Sequence, residues 1–103
     1  MYTTKTPGAR VEKLMSFTRT EFEHGLERML GAKPVLGEKG YDLSAAAFDI
    51  PVTCSFDPQP DAVLGGRVRL PRVKVVLDFS RLNTEERLVV LDRFEKVFQR
   101  GGG

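Results

Sequence analysis

Two neighbouring stretches of alternating apolar residues constrain the fold of this chain more than any other feature. The first alternates from Phe48 to Phe56, and the second runs from Val68 to Phe79. Because strand side chains point to opposite faces at every second residue, both stretches predict β-strands with one buried face. Residues 57–66 lie between them and contain two prolines and two glycines. They predict a turn that is longer than a tight hairpin loop and projects from the body.

The apolar alternation changes phase in two places. Residues 41–47 alternate with the opposite parity from Phe48 onward. One long strand with a bulge near Ala46 explains this change, and so do two separate short strands. In the second strand the parity changes at Pro71, where the missing N–H of proline favours a bulge.

Capping residues at their N-termini predict two helices. Thr18 and Glu21 form a Thr-x-x-Glu capping box, and Asn83 with Glu86 repeats the pairing before the last helix. The first helix is predicted to end at Gly31, because glycine is the preferred residue just beyond a helix C-terminus.

These elements predict a two-layer α+β domain. We expect a small antiparallel sheet of two to four strands with the N- and C-terminal helices on one face, in the order α-β-β-α. Residues 1–14 are interpreted as a flexible N-terminal arm, residues 15–100 as the single domain and residues 101–103 as a glycine tail. A short strand that starts at Val11 is the alternative for the end of the arm, and Met15 is an alternative start of the natural chain.

Composition narrows the class of protein. With 103 residues, 41% hydrophobic and 29% charged, the chain has the make-up of one globular domain. Its net charge of +2 is too small to indicate nucleic-acid binding by itself. No apolar run approaches the ~20 residues of a membrane helix, and no signal peptide is recognisable. We therefore expect no membrane association and a cytoplasmic location.

The candidates for catalysis and metal binding are few. Cys54 is the single cysteine and lies on the predicted buried face of a strand. His24 is the single histidine and is predicted to face solvent, although Glu21 precedes it at Glu-x-x-His spacing. One such motif falls short of the three or four ligands that a metal site requires. We expect no catalytic residue, no metal and no cofactor.

A basic strand is the strongest candidate for a binding site. Guanidinium groups hold carboxylates and phosphates through paired hydrogen bonds, and a bulge at Pro71 would bring four basic residues to one side of the sheet. The alternative is cross-strand pairing with Asp49 and Asp57, or simple solvation. The four partner-binding candidates are Arg67, Arg69, Arg72 and Lys74.

The last helix predicts a second interaction. Its apolar residues span about half of the helical circumference, which is wider than the ~100° stripe of a simple surface helix. Because two or three strands leave a small sheet with exposed edges, a second copy of the chain is the expected cover. We expect a homodimer whose interface includes Val90, Phe94 and Val97.

The chain ends in Gly101, Gly102 and Gly103. This ending resembles the tails of ubiquitin-like modifiers and sulfur-carrier proteins, which implies a carboxylate activated by adenylation. In those families the tail follows a strand of a β-grasp fold, whereas here it follows a predicted helix. A simple helix end is the alternative interpretation.

No motif in the sequence fixes an activity. The expected function is a small non-enzymatic protein-binding or assembly module that pairs with itself and with an acidic protein. Nucleic-acid binding through the basic strand and a carrier role for the glycine tail are the alternatives.

Overall fold

The computed structural model describes residues 7–99 and shows one antiparallel sheet of five strands with two helices. The strand order across the sheet is β1-β5-β4-β3-β2. A short 3-10 helix, Ser44–Ala46, connects β3 to β4. The elements are β1 Arg10–Met15, α1 Arg19–Leu30, β2 Leu36–Gly37, β3 Gly40–Asp42, β4 Thr53–Leu64, β5 Val68–Asp78 and α2 Thr84–Gln99.

The predicted fold was wrong in both strand number and element order. We expected two to four strands in the order α-β-β-α, whereas the described residues follow the order β-α-β-β-β-β-α. Strands β2 and β3 have two and three residues, so they are too short for an alternating pattern to reveal. Strand β1 falls largely within residues 1–14, where a short strand was the alternative to a flexible arm.

Both helices pack on one face of the sheet and form a single apolar core with it. Three phenylalanine rings connect the two helices: Phe22 lies 5.1 Å from Phe98 between ring centroids, and Phe94 lies 4.6 Å from Phe98. The sheet contributes Val73, Val75 and Leu77 from β5 and Cys54 from β4. None of these residues is more than 7% exposed, so the core is continuous from α1 through α2 to the sheet.

The segment before β4 differs from its sequence interpretation. The predicted strand began at Phe48, but β4 begins at Thr53. Phe48 and Asp49 have φ angles of 59° and 61°, a left-handed conformation that no strand contains. The Phe48 ring is 47% exposed beneath the Arg93 guanidinium rather than on the buried face. Neither alternative for residues 41–47 is correct, because β3 ends at Asp42 and the 3-10 helix Ser44–Ala46 separates it from β4.

Strands β4 and β5 form a hairpin that is longer than predicted. The expected loop over residues 57–66 was wrong, because β4 continues to Leu64 and only Gly65, Gly66 and Arg67 connect it to Val68. The φ angles of Gly65 and Gly66, 59° and 72°, suit the two central positions of a β-turn that requires positive φ, and the Arg67 N–H closes this turn on the Leu64 carbonyl at 3.2 Å. Pro58 and Pro60 fit within β4 because β3 pairs only with residues 53 and 54, which leaves this part of β4 without a second neighbour.

The bulge of this hairpin lies in β4. Gln59 is opposite Arg72 and Ala62 is opposite Leu70, so β4 contains one extra residue where it faces Pro71. Strand β5 therefore keeps its regular alternation through Pro71.

The helix starts were predicted correctly. The Thr18 hydroxyl accepts a hydrogen bond from the Glu21 N–H at 3.2 Å, and the Glu21 carboxylate accepts one from the Thr18 N–H at 2.8 Å. Asn83 and Glu86 repeat this exchange at 2.9 and 2.8 Å before α2. Gly31 ends α1 in the left-handed conformation. No helix within residues 7–99 is long and apolar enough to cross a membrane.

Replacing Thr18 with alanine is expected to lower the free energy of unfolding by about 0.5–2 kcal/mol, because one N–H of the first turn loses its acceptor. Urea denaturation measures this loss. Thr20→Ala is the matched control, since Thr20 is also exposed in the first turn but makes no capping bond. Equal stability of the two variants would contradict a capping role for Thr18.

Candidate functional site

The end of the β4–β5 hairpin, residues 59–72, extends beyond the core and is called here the distal hairpin. None of its residues belongs to the apolar core or packs against it. The last core residues before it are Phe56 on β4 and Val73 on β5, which lie at the points where the helices stop covering the sheet. The distal hairpin is therefore a two-stranded projection with both faces open to solvent.

One face of the distal hairpin presents apolar side chains to solvent. Leu64 is opposite Val68 and Ala62 is opposite Leu70, so two cross-strand pairs lie side by side on one face. Leu64 is 54% exposed, Val68 53% and Leu70 36%. A two-stranded hairpin gains little stability from such exposed pairs, and a contiguous exposed apolar patch is typical of interaction sites. These four residues, Ala62, Leu64, Val68 and Leu70, are called the apolar stripe.

The four predicted binding residues are distributed around this hairpin. Because β5 alternates regularly, Arg72 and Lys74 lie on the same face as the apolar stripe, which is the face of the sheet opposite the helices. Arg69 lies on the other face, and Arg67 is the last residue of the turn before β5. A bulge at Pro71 would have gathered all four, but the extra residue is in β4 instead. The structure brings two of the four together beside the stripe.

The alternative interpretation, in which the basic residues pair with Asp49 and Asp57 across the strands, is supported for one pair at most. Lys74 is opposite Asp57 in the register, but Asp49 lies in the left-handed turn before β4 and faces no residue of β5. Within residues 7–99 the ion pairs are Lys13–Glu95 at 2.6 Å and Lys96–Asp92 at 3.0 Å. None of the four basic side chains therefore forms an ion pair with a carboxylate in the described part of the chain.

The residues predicted at a dimer interface lie on α2. Val90 and Phe94 have no exposed surface within the single chain, and Val97 is half-buried against the same core. The wide apolar face of α2 is therefore used largely by the chain's own sheet and by α1. Contact between this helix and a second copy stays a prediction.

Cys54 and His24 lie where the sequence predicted. Cys54 is buried, and burial raises the pKa of its thiol to about 12. The thiolate that a nucleophile requires is thus disfavoured at neutral pH. His24 is on the exposed side of α1. Among residues 7–99 no three His, Cys, Asp or Glu side chains converge as metal ligands.

A buried polar connection was missed by the sequence analysis. Tyr41 is 1% exposed, and its hydroxyl donates to Glu23 at 2.6 Å and accepts from Arg19 at 2.7 Å. Burial, followed by the hydrogen bond to Glu23, raises the pKa of Tyr41. The Arg19 guanidinium also lies 4.6 Å from the centroid of the Phe56 ring. These contacts fasten α1 to β3 and β4, and the 18 to 22 residues that separate Tyr41 from its two partners leave no local pattern.

Comparison with known proteins found no matching family model, no matching curated protein and no matching solved structure. A function therefore has to be inferred from the surface of this fold.

Proposed function

We propose that this protein is a non-enzymatic, homodimeric protein-binding module of the cytoplasm whose distal hairpin engages an acidic protein. The observation that carries the proposal is the apolar stripe, which is exposed on a projecting hairpin and lies beside Arg72 and Lys74. Burial of the stripe supplies affinity, because apolar area removed from water is favourable by roughly 25 cal/mol per Å². The basic residues favour a partner that places carboxylates around an apolar groove.

A protein partner fits this surface better than a nucleic acid. Binding of single strands relies on aromatic side chains that stack on bases, and residues 59–72 contain no aromatic residue. An apolar stripe gains nothing from a phosphate backbone, whereas interfaces between proteins combine an apolar centre with a polar rim. The carrier alternative concerns Gly101 to Gly103, which lie outside the described residues.

Removing the apolar stripe is expected to weaken partner binding at least tenfold. The variant Leu64→Ser with Val68→Ser keeps the hairpin turn but removes the two most exposed side chains of the stripe. Wild-type protein and variant are each used to recover partners from the cells of origin, and the recovered protein is then purified and titrated directly. This tenfold rise in Kd corresponds to about 1.4 kcal/mol, which is less than the free energy that burial of a Leu and a Val side chain supplies.

The matched control is Val35→Ser, since Val35 is 68% exposed but lies outside the distal hairpin, directly before the edge strand β2. It should bind like the wild-type protein. Equal binding by the double variant and the wild-type protein would overturn the role of the distal hairpin. If the recovered molecule is a nucleic acid, the partner class is wrong.

A further inference from the structure

Strand β1 has a free edge, and its backbone pattern shows which residues present it. The Phe79 N–H donates to the Ala9 carbonyl at 2.6 Å, and Arg10 is opposite Asp78 in the register. Hydrogen bonds in an antiparallel pair join alternate residue pairs, so Val11 and the odd-numbered residues after it bond to β5. The N–H and C=O groups of Arg10, Glu12 and Leu14 therefore point away from the sheet.

Two other edges of the described sheet are protected by their own sequence. Strand β2, at the opposite side, has only two residues. The part of β4 that lacks a second neighbour contains Pro58 and Pro60, which cannot donate a backbone hydrogen bond. Short edges and prolines are devices that prevent edge pairing, whereas β1 offers six regular residues without proline.

A lysine on an edge strand normally discourages pairing with another strand, but the side chain of Lys13 is held in an ion pair instead. Its ammonium group binds the Glu95 carboxylate of α2 at 2.6 Å and is partly buried there. The charges left on the open face of β1 are Arg10 and Glu12, one of each sign. An edge with that pair of charges is complementary to an antiparallel copy of itself.

We propose that β1 pairs with β1 of a second copy about a two-fold axis at Val11 and makes one continuous sheet of ten strands. This inference names the interface of the homodimer proposed above and rests on that part of the proposed function. With the axis at Val11, each Arg10 lies directly opposite the second copy's Glu12, so two ion pairs form. An axis at Glu12 would instead place the two Glu12 side chains opposite each other, and an axis at Lys13 would place Glu12 opposite Leu14 and form no ion pair.

The same arrangement would also bring α2 close to the dimer interface. The contact between Lys13 and Glu95 shows that α2 lies over β1. Extending the sheet past β1 therefore sets the two α2 helices on either side of the axis. This is the helix for which the sequence predicts contact with a second copy.

A single cysteine on β1 tests the register. Val11 is in a non-hydrogen-bonded pair at the axis, where opposite Cα atoms are ~4.5 Å apart and within disulfide range. Val11→Cys should form a disulfide-linked dimer when oxidised glutathione is added to the folded protein. Ala9→Cys is the matched control, because Ala9 is on the same face but its counterpart in the second copy lies ~14 Å away along the paired strand. The wild-type protein is the negative control, because its single cysteine, Cys54, is buried and should not form a disulfide between two copies.

A charge exchange tests the ion pairs. Glu12→Arg should weaken the dimer about tenfold, since both pairs become repulsive. The double variant Arg10→Glu with Glu12→Arg should restore it, because the pairs are re-formed with opposite signs. Sedimentation follows the conversion between 11.5 kDa and twice that mass.

Two results separate the β1 interface from the homodimer itself. The β1 interface would be wrong if the protein is dimeric but Val11→Cys cross-links no faster than Ala9→Cys. It would also be wrong if Glu12→Arg leaves the dimer affinity unchanged. Either result would leave the homodimer itself standing. A wild-type protein that sediments as a monomer at tens of micromolar would overturn both.

Discussion

Replacing Phe94 with alanine is expected to remove about 3–5 kcal/mol from the free energy of unfolding. Phe94 has no exposed surface, and its ring lies 4.6 Å from Phe98 and 6.3 Å from Phe22 between centroids. Truncation leaves a cavity at the point where α1, α2 and the sheet meet. Because domains of this size are stable by about 5–15 kcal/mol in total, the variant should be partly unfolded at 37 °C.

Urea denaturation at two protein concentrations, tenfold apart, measures this loss and identifies its origin. A loss within the single chain shows as the same difference from the wild-type protein at both concentrations, whereas a loss that acts through association gives a difference that changes with concentration. Leu88→Ala on the same helix is the control, because Leu88 is 36% exposed and should change the free energy of unfolding little. A Phe94→Ala variant that is as stable as the wild-type protein but monomeric would place Phe94 at the interface.

The sequence predicted the helices better than the sheet, because helix ends are encoded locally. Thr18 with Glu21 and Asn83 with Glu86 are three residues apart, and each pair exchanges the hydrogen bonds that this spacing predicts. Strand pairing depends on residues that are distant along the chain. Strand β1 pairs with β5, which is far away in the sequence, and its mixed charged and apolar residues carry no clear alternation.

The errors in the sheet share one assumption, namely that alternating apolar residues face the core. Phe48 and Ile50 continue the alternation of β4 but lie before the strand begins, so their spacing is a coincidence. Val68 and Leu70 are out of phase with Val73 because they are exposed on the opposite face, not because β5 has a bulge. The change in apolar alternation at Pro71, which suggested a bulge, thus marks the point where the apolar residues of β5 move from the buried face to the exposed face that carries the apolar stripe.

Neutralising the basic residues is expected to abolish binding of the acidic partner while the fold persists. In the variant, Arg67, Arg69, Arg72 and Lys74 all become glutamine. None of the four makes an ion pair within the described residues, and surface substitutions of this kind usually change the free energy of unfolding by less than about 0.5 kcal/mol each. Thermal unfolding monitored by circular dichroism checks the fold. A variant that fails to fold would show that these residues are structural.

Salt dependence then separates the two classes of partner. Four phosphate contacts on duplex DNA give a log–log slope of about −3.6, and contacts from Arg72 and Lys74 alone give about −1.8. Since Arg69 lies on the other face of β5, a duplex on the stripe face reaches the smaller value at most. A protein partner loses mainly its association rate as salt rises, because the buried stripe keeps the dissociation rate low. A slope steeper than about −3 with duplex DNA near physiological salt, lost in the glutamine variant, would make nucleic acid the ligand. A shallow slope, together with weaker binding by the variant Leu64→Ser with Val68→Ser, would show that the partner requires both the stripe and the charges.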